Sequence, residues 1–152
     1  MTNSSGNTPY ETNPVENLFD AIKSFAAAFD AFYKSNCNCC EQKKILDSVK
    51  AALYKPVYPN LDTSAPICLF EIGFMYVPGT KNSGIYMVNE EKLAAALQQR
   101  ENDIKSLFTK SDGLLNEVIP IMTDFLAKEL TEEEYVSGKG FLNECLRLEA
   151  MF

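Results

Sequence analysis

The sequence contains neither histidine nor tryptophan. Lack of imidazole removes the commonest general base near neutral pH, the usual nitrogen ligand of zinc and iron, and the partner that activates serine or cysteine nucleophiles. Long apolar runs are missing as well. Glu71 breaks the longest candidate, well short of the roughly 18–20 residues that span a bilayer, so no transmembrane segment is expected. The opening residues MTNSSGNTPYETNP hold neither the basic stretch nor the apolar core of a secretory leader. The expectation is a cytoplasmic chain with reduced cysteines. Gly79-Thr80-Lys81 and Gly138-Lys139-Gly140 have the spacing of neither a phosphate loop nor a dinucleotide fingerprint, and no calcium-loop pattern is present. No cofactor is expected, and enzymatic chemistry is not the leading reading.

Basic residues are also in short supply. The net charge is −7, and its distribution is uneven: residues 111–152 hold nine acids and three bases, whereas residues 67–110 are balanced. No basic stripe exists that could release counterions from a phosphate backbone, which argues against direct nucleic-acid binding. The acidic end suits a solvated helix face or a protein partner with a basic surface.

Apolar periodicity is what the sequence does contain. A chain of 152 residues is long enough for one domain with a sizeable core. Residues 1–12 are polar and read as a flexible tail, with a single helical domain over 13–152. The first helix opens at Asn13-Pro14, a cap followed by a first-turn proline. Val15, Leu18, Phe19, Ile22, Phe25, Ala26, Phe29, Phe32 and Tyr33 then recur at three- and four-residue steps. A second helix over Cys40 to Tyr54 ends before Pro56 and Pro59.

From Ile67 to Tyr76 the period changes to two. Cys68, Phe70, Ile72, Phe74 and Tyr76 share one face, Pro78 to Gly84 reads as a turn, and Ile85 to Val88 resumes the apolar run, so a β-hairpin is expected at about 67–88. Gly73 inside it signals a bulge or a close backbone approach. Three more helices follow. One is capped by Asn89 and runs through Phe108, with Arg100 interrupting its apolar seam. Another starts at Ser111-Asp112 and should kink or split at Pro120. The last opens with a capping box, Thr131 with Glu134, and continues to Met151. The predicted fold is mainly α (α+β), with about five helices packed around one central hairpin.

Two clusters stand out as candidate sites. Cys37, Cys39 and Cys40 are close enough to share a soft metal, with Cys68 or Cys145 as a fourth ligand, to act as a redox site, or to be acylated. The blander alternative is a helix–helix turn whose small thiols pack on the core. The second cluster is a partner-binding surface of Glu132, Glu133 and Glu134 with the apolar terminal pair Met151 and Phe152. That pair is either docked into the core or left as an anchor for another chain. The leading functional reading is a non-catalytic intracellular structural or protein-interaction protein, one that binds other proteins or a second copy of itself. The alternatives are a cysteine-based metal or redox protein and a carrier of a hydrophobic ligand in the phenylalanine stripe of the first helix.

Overall fold

The fold was analysed on a computed structural model that describes residues 14–37, 40–59, 66–79 and 84–152. The side chains of residues 14–17 and 40 lie outside that description. So do the tail expected over 1–12, the cap expected at Asn13 and the middle of the hairpin loop. The described elements are α1 (Pro14–Asn36), α2 (Cys40–Tyr54), a short 3-10 turn (Leu69–Ile72), β1 (Phe74–Val77), β2 (Ile85–Val88), α3 (Glu90–Gln99), α4 (Glu101–Thr109), α5 (Leu114–Leu126) and α6 (Glu132–Met151). This is a mainly helical fold built around one antiparallel hairpin.

Helix α1 is the axis of the core, and its most extensive contacts are with α6. Three phenylalanines of α1, at steps of four and three, all meet Phe141 of α6. The ring centroids of Phe25 and Phe29 are each 5.3 Å from it, and Phe32 stacks on it at 5.7 Å. Edge-on contacts extend the cluster from Phe25 to Phe108 and from Phe32 to Phe125. Such geometry adds about 0.5–1.5 kcal/mol per pair beyond the burial itself. Close approach of α5 and α6 depends on Gly138, because a Cβ there would sit 2.7 Å from a Phe125 ring carbon. Thr131 and Glu134 form the expected capping box at the start of α6.

The extended run is shorter than its alternation implies. Ile67 pairs with Val57 through two 2.8 Å backbone hydrogen bonds. The chain then makes the 3-10 turn Leu69–Ile72 before β1 begins. Inserting a turn breaks the period of two, so Ile67, Leu69, Ile72 and Phe74 are buried while Phe70 is 59% exposed. Gly73 makes the exit from that turn possible. Its φ is +107°, a region that side chains disfavour, and a Cβ would lie 2.8 Å from the Asn89 carbonyl oxygen. The Gly73 carbonyl in turn accepts the Asn89 N–H at 2.8 Å. Asn89 itself caps α3, its Oδ1 accepting the Lys92 N–H.

The helix expected over Asn89 to Phe108 is two helices, broken at Arg100. An unbroken helix would place Arg100 on the seam of Leu93, Leu97, Ile104 and Leu107, where a guanidinium cannot be desolvated cheaply. At the break it instead reaches Asp103 at 3.1 Å and Glu71 at 3.4 Å. Pro120 has the opposite outcome, since α5 continues through it. It lies on the exposed face, where water can serve the carbonyl that loses its helical donor. The start of α5 also falls later than Ser111-Asp112. Gly113 precedes the helix, and the Asn116 side chain reaches back to the Thr109 and Lys110 carbonyls.

Candidate functional site

The cysteines are placed in dissimilar environments. Cys37, half-buried just after α1, donates from Sγ to the Lys34 carbonyl at 3.8 Å. Cys40 opens α2, while its side chain and the whole of Cys39 lie outside the described residues. The Cys68 thiol points to Glu71 Oε1 at 3.6 Å. Cys145 is fully buried in α6, and burial pushes its thiol well above the ordinary range, so it stays protonated. Among the described residues, no three Cys, Asp or Glu side chains converge on a common point. The phenylalanine stripe of α1 is filled by protein. Phe25, Phe29 and Phe32 have no accessible surface, and Phe141 occupies the space between them.

The partner-binding candidates divide into two groups. Glu132 and Glu133 are exposed in the first turn of α6, and Met151 is exposed at its end. Glu134 turns inward to the capping box, where its Oε1 accepts the Thr131 N–H at 2.9 Å. The Phe152 ring is half-buried and stacks on Phe108 at 5.9 Å.

The hairpin departs from ordinary surface chemistry. Phe74 lies opposite Val88, Met75 opposite Met87, Tyr76 opposite Tyr86 and Val77 opposite Ile85. Successive side chains point to opposite faces. The inner face, with Phe74, Tyr86 and Val88, is buried on α1. The outer face consists of Met75, Val77, Ile85 and Met87. Ile85 and Met87 are each 41% exposed, and Met75 and Val77 are half-buried. No charged residue occurs in either strand. Phe70 adds a further exposed ring near Met75, partly covered by the Lys92 ammonium at 4.8 Å.

Beneath this face lies a tyrosine-rich layer. Tyr86 packs against Phe29 at 4.8 Å, Tyr33 at 5.0 Å and Tyr76 at 4.8 Å, and Tyr54 stands edge-on to Phe74 at 6.2 Å. Burial is the main cause that raises the Tyr86 phenol, with Tyr54, Tyr33 and Tyr76 adding to it. Tyr33 and Tyr54 are raised by burial too. The layer is therefore a neutral aromatic support for the hairpin.

Asp30 fixes the hairpin to α1. It is buried, accepts the Tyr86 backbone N–H at 2.9 Å on Oδ1, and pairs through Oδ2 with Lys34 at 2.8 Å. Beside it, Ala26 and Ala27 of α1 leave a groove of ≈ 220 Å³ along β2. Periodicity did not single out Asp30. The available signal was an acid set inside the apolar stripe, between Phe29 and Phe32.

The chain matches no protein-family model, no curated protein and no solved structure.

Proposed function

We propose that this chain is a non-catalytic intracellular protein that acts by binding other proteins, and that the outer face of the hairpin is its main contact surface. The observation that carries this reading is a β-hairpin apolar on both faces, with Ile85 and Met87 left 41% exposed on the side away from the core. A strand pair that needed only to cover α1 would be served by polar residues at these positions, as half-buried hairpins usually are. An uncharged apolar strip is also an aggregation risk unless something covers it. The partner would present an apolar strip of its own, and a basic surface on it would suit the acidic residues Glu132 and Glu133 of α6. An intracellular setting fits the free thiols of Cys37, Cys68 and Cys145.

The test is site-specific photo-cross-linking in cells, with the photoreactive group at Met87 and, as a control, at the exposed Glu101 of α4. Products are expected at Met87 alone, and Ile85→Lys should abolish them without changing the melting temperature. Equal products at both positions, or none at Met87, overturn the proposal.

A further inference from the structure

Helix α6 carries a feature that its own fold does not explain. Two glycines lie close together in it, Gly138 and Gly140, and each weakens the helix by about 0.5–1 kcal/mol relative to alanine. Gly138 has a packing reason, the Phe125 ring at 2.7 Å from where its Cβ would be. Gly140 has none, since nothing lies within 4 Å of the corresponding point. It sits on the side of α6 turned away from Phe141, Cys145 and Leu148. At helical spacing that side reads Glu133, Val136, Gly140, Asn143 and Arg147. Val136 is 61% exposed, the highest value among the large apolar side chains of the described surface.

The charges on this stripe are arranged with opposite signs at its two ends. Glu132 and Glu133 stand at the N-terminal end, and Arg147, whose Nη1 also lies 3.4 Å from Glu144 Oε1 of the same helix, stands two turns beyond Gly140. Both cations of α6, Lys139 and Arg147, are exposed on the outer side. Reversing the helix about Gly140 brings Glu133 to the level of Arg147 and Arg147 to the level of Glu133. The stripe is thus complementary to itself in the antiparallel sense, as a twofold contact requires. A residue without a Cβ at the crossing point lets two backbones approach closely.

We infer that the outer stripe of α6 binds a second copy of this chain, crossing antiparallel at Gly140, with Val136 packed beside the crossing and Glu133 paired with Arg147 of the other copy at each end. The hairpin face takes no part in this contact, so the inference goes beyond the binding role proposed above; the two readings share Glu133, and Ile85→Lys, which lies on the hairpin alone, tells them apart. The contact is small and relies on exposed ion pairs, so it is a weak dimer that loosens as salt is raised.

Sedimentation equilibrium of the full chain at low ionic strength provides the test. A monomer–dimer equilibrium is expected. Gly140→Leu should weaken it by roughly tenfold or more by blocking close approach, while circular dichroism stays unchanged. Glu133→Arg and Arg147→Glu should each weaken it by about tenfold, because each sets like charges opposite one another at both ends. The double variant, with both charges exchanged, should recover wild-type association. A single monomeric species at every loading concentration overturns the inference. So does a dimer indifferent to Gly140→Leu, a charge exchange that fails to rescue, or a dimer lost instead through Ile85→Lys, which would place the second copy on the hairpin.

Discussion

The carboxylate of Asp30 accepts the backbone N–H of Tyr86 at 2.9 Å, so a side chain of α1 occupies a hydrogen-bonding position that a third strand would otherwise take. This relationship ties the first helix to the hairpin and orients the face on which binding is proposed. Asp30→Ala leaves a buried N–H without an acceptor, which costs about 1–3 kcal/mol. Asp30→Asn keeps an acceptor at the same place and should cost clearly less. Denaturant unfolding of both variants, with amide exchange at Tyr86, checks the difference.

Much of the fold was legible because the helices are amphipathic and well punctuated. Asn89, Thr131 and Glu134 occupy the caps that their positions imply, and the stripe from Leu18 to Phe32 is the core it reads as. The misreadings share a cause, since they fall where a tertiary contact overrides a local period. The alternation through Phe70 fails because a 3-10 turn precedes β1. The third helix breaks because the Arg100 side chain finds Glu71, a residue distant in sequence. On the candidate sites, Glu134 and Phe152 turn out to have structural contacts. The degree of exposure of the hairpin's outer face is not legible in the sequence, because Met75, Val77, Ile85 and Met87 are ordinary strand residues and only the packing shows how far they are covered.

The two glycines of α6 should respond to alanine with opposite signs. Gly138→Ala forces a methyl group against Phe125 and should destabilise by about 1–3 kcal/mol. Gly140→Ala adds a methyl in open space and should stabilise the monomer by up to about 1 kcal/mol. Thermal melts at a concentration that keeps the chain monomeric decide both.

Removal of Phe152 should lower stability by about 1–2 kcal/mol, less than a fully buried phenylalanine because the ring is only half covered where it stacks on Phe108. Met151→Ala, at an exposed position, should change stability by less than about 0.5 kcal/mol. Urea titration of the two variants makes the comparison.

Alkaline pH should destabilise the fold in two stages. Burial raises Cys145 above its ordinary 9.0 and raises Tyr33, Tyr54 and Tyr86 above 10.0. Each folded-state value lies above its unfolded one, so the unfolded chain releases these protons first. The corresponding stability is complete below pH 9 and is lost progressively above it, more steeply beyond pH 10. Unfolding free energies measured from pH 8 to 11 should show this decline, and Tyr86→Phe should flatten its upper part.

The pairing of α1 with α6 has a consequence for how the protein is made. Phe25, Phe29 and Phe32 leave the ribosome well before the ring they enclose, Phe141 of α6. During synthesis α1 is an apolar helix without its principal neighbour. Local helices and the hairpin can form as they emerge, but closing the aromatic cluster must wait for α6, and closing so long a loop slows folding. The stripe therefore stays uncovered while the residues between α1 and α6 are made, the interval in which a chaperone would engage it.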